Sequence, residues 1–476
     1  MKEAHEALEK GDYKQHVQLL EELGRQGNGD ALDALGHLYA NGRIVERDPK
    51  KAHELFVKGY AAGSLYALCH LGWCYEFGAD VEKNPAKAKE LWETADRKGF
   101  DRAPLFLADY YCSGTKEYTK AIELMEKSIT RGCTDASYEL SNMYADGLGV
   151  AKDEKKAQKL CTDAAEAGST RAIYELAYNY EYGERGLPID HKLANEWAEK
   201  GIAKGNGDCQ ALLAHMYVYG TGAQANAEKG LELYRKAVEQ RVPWALLSLG
   251  KLYASGEHVE KDTTKARELF QLAVDRDYGP AQNELGNMIQ RGTDGSKPDP
   301  KAAFALYLKA AQKGLDYAQY NAGKALQDGN GVARDSKTAR LWYEAAVKKG
   351  NPHACNQLSM MYLFGTTDGI AQNIKEGVRL RLKGAGLGCP FAQSNLASNY
   401  ELGKHFKKDM KQALYWYKKS ADQNAEDWVP NHLGELYEKG EGVPRDRALA
   451  ISYYERAAKL GNQSAKHRLQ ELGRKP

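Results

Sequence analysis

One pattern returns every 33 to 38 residues along this 476-residue chain, and few folds can accommodate it. The stretch from Ala31 to Gly63, ALDALGHLYANGRIVERDPKKAHELFVKGYAAG, shows it in full. Apolar or small residues at Ala31, Leu35 and Tyr39 lie one helical turn apart, and Ala52, Leu55, Phe56 and Gly59 line a second face after a break. Gly42 marks the end of the first predicted helix. Asp48 is placed as the N-cap of the second, Pro49 occupies its first turn and Gly63 closes it. Such a helical hairpin carries one apolar stripe per helix and has only its own copies to bury it against.

The copies align on a small residue of the first helix: Ala31, Ala67, Ala103, Ala136, Ala172, Cys209, Ala245, Ala281, Ala318, Ala354, Ala392, Val429 and Ala465. Leu follows four residues later in most copies, then Gly, Ala or Ser, then an aromatic such as Tyr39, Tyr75, Tyr144 or Tyr217, so core packing accounts for much of the tyrosine content. Before the second helix stands Asp or Asn in every copy but the third, which has Glu117 and is also the shortest. These carboxylates are caps, worth about 1 kcal/mol each, and not a catalytic set. Arg241, Asp277 and Asn424 replace the closing glycine, so bends are expected near residues 241–245 and 277–280.

Taken together, Ala-x3-Leu-Gly-x2-Tyr-x2-Gly, a loop ending Gly-Val-x2-Asp and then Lys-Ala-x2-Leu are clearest at 147–157, 329–350 and 440–461. This motif resembles the Sel-1-like repeat (SLR) family, relatives of the tetratricopeptide repeats. The resemblance implies an all-α, right-handed superhelical αα-hairpin solenoid of about twelve repeats and a role as adaptor or scaffold in protein–protein interaction. Residues 1–27 read as a degenerate N-terminal capping unit, 28–461 as the tandem repeats and 462–476 as a C-terminal capping helix and tail.

Charge and motif content narrow the function. Lys plus Arg number 67 against 65 Asp plus Glu, which gives no net field to attract nucleic acid. No apolar run is long enough to cross a membrane, and the opening MKEAHEALEKGDYK has no signal-peptide core, so a cytoplasmic location is expected. The eight cysteines do not recur at one repeat position and read as reduced, mostly buried thiols. Phosphate-loop, nucleophile-elbow, His-Glu-x2-His and paired Cys-x2-Cys patterns are missing, and no two histidines stand at i, i+3 or i+4. Neither a catalytic residue, a metal site nor a cofactor is expected.

The binding surface follows from the resemblance. In tetratricopeptide geometry the first helix of each pair lines the concave side, and that register selects Trp73, Tyr138, Asn142, Arg171, Tyr174, Tyr178, Tyr182, His215, Tyr219, Trp244, Asn283, Asn287, Tyr317 and Tyr320. Aromatic rings among amides suit a groove for a protein or peptide. Packing of the same rings between neighbouring helices is the competing explanation. Rival functions are a binding module for a glycan or cell-wall fragment and a regulatory or inhibitory partner of an enzyme or toxin. The basic residues Arg379, Arg381, Lys383, Lys404, Lys407, Lys408 and Lys411 would suit an acidic partner, but such charge more often forms a solvated outer face, and they are read as one.

Overall fold

A computed structural model describes residues 1–222, 224–293 and 295–474. Lys475 and Pro476, at the end of the expected tail, lie outside the described residues. Among the described residues there are twenty-seven α-helices and no strand, and most helices are 13 residues long. They form two compact units, Met1–Arg276 and Asp277–Pro476.

One hairpin explains the others. Helix Gly29–Asn41 ends at Gly42, as the sequence anticipated, with a left-handed φ of 66°. The chain then turns so that the backbone N–H of Asp48 donates to the carbonyl of Tyr39 at 2.9 Å. The Asp48 carboxylate accepts from the N–H of Lys51 at 2.9 Å, capping helix Pro49–Ala61. Asn84, Asp153, Asn226, Asp262, Asp409 and Asp446 repeat both contacts, each with the aromatic residue nine positions earlier. A cap residue therefore sets both the start of a helix and the closure of its hairpin.

The small residue of the first helix receives a ring from the second. A Cβ on Gly36 would lie 2.7 Å from the Phe56 ring, and one on Gly323 would lie 2.9 Å from that of Tyr343. The close approach is thus made inside each hairpin. Tyr234, Tyr307, Tyr343, Tyr417 and Tyr454, all on second helices, are the fully buried tyrosines. Of the first-helix tyrosines, Tyr111, Tyr253 and Tyr437 are buried in the core as expected, while Tyr39, Tyr75, Tyr144 and Tyr217 are only half-buried at its edge. Tyr39, Tyr75, Tyr144 and Tyr217 accept from Lys51, Lys87, Lys156 and Lys229 at 2.5–2.7 Å, with each ammonium 4.0–4.1 Å from the ring centre.

Neighbouring hairpins are tied through first-helix caps that the sequence reading did not single out. Ser64 Oγ donates to Asp30 at 2.7 Å and Ser169 Oγ to Asp135 at 2.8 Å, while each serine also caps its own helix. At the three glycine replacements the backbone keeps its left-handed turn, with φ of 53° at Arg241, 57° at Asp277 and 51° at Asn424. A side chain in that conformation costs roughly 1–2 kcal/mol. The short third repeat differs: its first helix closes with a π-helical turn, Tyr111–Thr115, and Glu117 makes no side-chain cap. All eight cysteines are free thiols, seven of them buried. Among the described residues no helix is long and apolar enough to cross a membrane.

Candidate binding surfaces

Within Met1–Arg276 the stack returns on itself. Gln240 Nε2 donates to the hydroxyl of Tyr13 at 2.7 Å and to Gln210 Oε1 at 2.9 Å. Arg43 pairs with Asp208 at 3.1 Å. Arg276 donates to the carbonyls of Gly42 at 2.5 Å and Asn41 at 2.7 Å, at the end of a helix where a cation is favoured.

The side chains facing inward enclose a cavity of about 1110 Å³. Its walls combine His37, His70, Trp73, Phe77, Phe106 and Tyr110 with Arg102, Arg171, Arg241, Arg276, Asp109 and Asp135. His70 Nδ1 lies 2.7 Å from Asp33 Oδ1, and its ring centre is 5.0 Å from that of Phe56 and 6.0 Å from that of Phe106.

Enclosure shifts the titrating groups. His37 and Asp109 open onto the cavity, but protein surrounds them on the other sides. Burial, then His70, lowers His37 to about 4. Burial, then Glu139, raises Asp109 to about 7. Arg276 falls to about 10 through burial and then Arg43, Arg241 and Arg47, and its Nε has no hydrogen-bond partner.

Asp109 yields a pH prediction. Its ordinary value is 3.8, so between 3.8 and about 7 the folded chain holds a proton that the unfolded chain has released. Its contribution to stability therefore falls as pH rises through that window. Asp109→Asn is expected to raise Tm relative to the natural chain at pH 8 and to leave the pair nearly equal at pH 4. Thermal melts across that range check it, and parallel profiles would refute it.

A second aromatic run follows on helix Thr170–Tyr182. Ring centres of Tyr174 and Tyr178 are 6.1 Å apart, and those of Tyr178 and Tyr182 are 4.6 Å apart. Tyr178 is 39% exposed, Tyr182 41% and Tyr219 49%, with the Tyr219 ring tilted against that of His215 at 4.6 Å on the next first helix.

Other residues selected from sequence have different surroundings. Tyr138, Tyr174 and Trp244 pack against a core that includes Ile173, Leu176, Trp197 and Met216. Asn142 accepts from Arg185 at 2.9 Å, and Arg171 pairs with Glu139 at 2.8 Å while lining the cavity beside Trp73.

In Asp277–Pro476, Asn283 is 3% exposed and accepts from Asn321 at 2.7 Å, while Asn287 accepts from Tyr307 at 2.9 Å. These two amides tie helices together, so neither is free to clamp a partner's backbone. Tyr317 is half-buried. Tyr320 joins His353 at 5.8 Å, and His353 joins Phe391 at 6.0 Å, giving a ring row in which His353 was not selected.

The cavity's Arg241, Arg276, His70 and Phe106 were also missed. None stands at a position the register selects. Only the contacts between distant hairpins bring the two arginines to the cavity.

Tandem αα-hairpins with inward-facing rings and charges define the class: an all-α repeat solenoid. The family model described as the Sel1 repeat matches twelve consecutive stretches, from 29–64 to 431–462, and the chain belongs to that family.

The chain is 28% identical over 328 residues to the chitin synthase regulator SKT5 of Saccharomyces cerevisiae, covering 68% of this chain and 38% of that protein. It is 28% identical over 250 residues to chitin synthase regulatory factor 3 of Schizosaccharomyces pombe, covering 51% and 27%. The chain thus spans well under half the length of these relatives. Among solved structures, c5321, a protective antigen present in uropathogenic Escherichia coli strains, is similar at 26% identity and a TM-score of 0.50, covering 96% of this chain and 90% of that one. Family and relatives together support a regulatory or adaptor role.

Proposed function

We propose that this chain is a non-enzymatic adaptor that holds an extended segment of a protein partner against its inward-facing first helices and so regulates that partner. One observation carries the reading: Tyr178, Tyr182 and Tyr219 stay substantially exposed on consecutive first helices although each has a ring neighbour. Rings that merely filled the gap between helices would be buried, as Tyr234 and Tyr343 are. Large, stiff side chains left open to solvent lose little entropy when a partner covers them. The regulator names of the yeast relatives favour a protein as the thing bound.

The test retrieves proteins on the intact chain, purifies the partner found and titrates it by calorimetry. Tyr219→Ala is expected to weaken binding about tenfold, the effect of a single aromatic anchor. The same titration with chitin and peptidoglycan oligosaccharides, read by tyrosine and tryptophan fluorescence, is expected to show no saturable change. Saturable sugar binding, together with a protein affinity indifferent to Tyr219, would overturn the reading.

A further inference from the structure

Three guanidinium groups in Met1–Arg276 converge on one short loop. Arg47 Nε donates to the carbonyl of Ala40 at 3.2 Å, Arg241 Nη1 to that of Val45 at 3.5 Å, and Arg276 to those of Gly42 and Asn41 at 2.5 and 2.7 Å. A Cβ on Gly42 would stand 2.8 Å from Arg47 Cβ and 3.2 Å from Arg276 Nη1, so these two side chains press on the same residue. All three arginines line the cavity of about 1110 Å³.

Their partners are unusual for arginine. Arg43, Arg102 and Arg171 nearby are each paired, with Asp208, Asp135 and Glu139. Arg47, Arg241 and Arg276 have only carbonyl oxygens and, among the described residues, form no ion pair. The carboxylates beside them in sequence, Glu46 and Asp275, also line the cavity but are exposed, and Asp275 already accepts from Gln271 at 2.7 Å. Each guanidinium carries five N–H donors, so most of these donors remain unspent.

Arg241 stands out further, because most repeats close the second helix with glycine at its position and its φ of 53° is left-handed. The two other replacements make firm contacts: Asp277 accepts from Lys313 at 2.6 Å and Asn424 from Arg456 at 2.7 Å. Arg241 has only its 3.5 Å contact, at the limit of a hydrogen bond. A side chain kept in a costly backbone conformation without a structural bond to hold points to a functional role.

The rest of the wall is of another kind. The rings of Trp73 and Phe77 are 5.1 Å apart, and Phe106 stacks on Trp92 at 6.1 Å. Glu76 Oε2, on the same lining, is buried and has no hydrogen-bond partner. The volume suits a small molecule rather than a folded partner.

We propose that this cavity binds a small molecule joining an oxyanion, phosphate or carboxylate, to a flat aromatic body. Arg47, Arg241 and Arg276 hold the anion, since planar guanidinium groups offer paired donors to such oxygens. Trp73, Phe77 and Phe106 receive the ring, and an N–H of the ligand satisfies Glu76. Tyr178, Tyr182 and Tyr219 lie outside this lining, so the site and the adaptor reading stand or fall separately.

The experiment titrates the full chain by calorimetry at neutral pH and constant ionic strength. The probes are adenosine monophosphate and N-acetyltryptophan, each beside its counterpart without the anion, adenosine and N-acetyltryptophanamide. At least one anion is expected to bind saturably and about tenfold or more tighter than its counterpart, and which one does so separates phosphate from carboxylate. Inorganic phosphate and acetate, which have no ring, are expected to bind about tenfold or more weakly than that probe.

Arg241→Gly restores the glycine of most repeats. Without ligand it is expected to melt at or above the natural chain, and its affinity for the probe is expected to fall about tenfold. Phe77→Ala truncates a ring that is 61% exposed and is expected to weaken the probe several-fold with Tm unchanged. Failure of both anions to bind, or equal affinity for each anion and its counterpart, would overturn the site. Should Arg241→Gly melt lower, Arg47→Ala decides, because that side chain is exposed: natural affinity there would also overturn the site.

Discussion

Replacing Tyr178 and Tyr182 together by alanine is expected to weaken the protein partner's binding by about 100-fold while leaving the fold intact. Each ring is roughly two-fifths exposed, so its removal opens no cavity. An aromatic anchor truncated at the centre of an interface costs about 2 kcal/mol or more, and about 2.8 kcal/mol in total corresponds to a hundredfold change. The two losses will not simply add, because the rings touch at 4.6 Å. Tyr182 contributes more than area: burial, then Glu181 and Tyr178, push its hydroxyl up to about 12, so it remains a hydrogen-bond donor at physiological pH.

Tyr174, the third member of the run, must be treated separately. It packs on the core that contains Ile173 and Leu176, and removing its ring would confound lost binding with lost stability. Tyr174→Phe keeps the packing and removes only the hydroxyl, so it is the appropriate companion variant. Calorimetric titration of the purified partner, beside thermal melts of each variant, checks the prediction. An unchanged Kd for the double variant would remove the run from the binding surface.

The architecture was legible in the sequence because it is local. A cap such as Asp48, the turn glycine at 42 and the Gly36–Phe56 contact all lie within about twenty positions of one another, and each repeat restates them. The cavity was not legible for the opposite reason. Its wall includes a pair 234 residues apart, Gly42 and Arg276, and the return of the stack that forms it is also held by pairs 227 apart at Tyr13 and Gln240 and 165 apart at Arg43 and Asp208. Those contacts depend on a small rotation accumulated from hairpin to hairpin, which no single repeat encodes.

The register analogy had an intermediate outcome. It found the exposed rings at 178, 182 and 219 but also selected Asn283, because a position on the inner side of a helix can still be covered by an amide of the next repeat. Arg381 is 3% exposed, which corrects its reading as part of a solvated face, and the reason was within reach of the sequence. Aligning the second helices on their first small residue, as the first helices are aligned, puts its charge in a slot that is aromatic in most of the other repeats.

Tyr343→Ala is expected to cost about 3–5 kcal/mol, the largest stability effect of any change considered, because a fully buried ring leaves a void its neighbours cannot fill. The whole stability of a domain is about 5–15 kcal/mol, and a stack held by nearest-neighbour contacts opens where one interface fails. Amides of helices Asp316–Asp328, Ser336–Lys348 and Pro352–Phe364 are therefore expected to lose hydrogen-exchange protection first. Tyr343→Phe removes only the hydroxyl that donates to Gln327 at 2.7 Å and is expected to cost about 1 kcal/mol.

A double-mutant cycle makes the argument sharper. Gly323→Ala in the natural chain drives a methyl group to 2.9 Å from the Tyr343 ring and is expected to destabilise by about 1–3 kcal/mol. With the ring already gone, the same change meets no obstacle and gains about 1 kcal/mol of helix propensity. The sign of the glycine substitution is thus set by a residue twenty positions away on the other helix of the hairpin. Chemical denaturation of the four proteins measures the coupling. If Gly323→Ala had the same effect in both backgrounds, the seating of an aromatic ring on a bare backbone would not be what sets the spacing of the two helices.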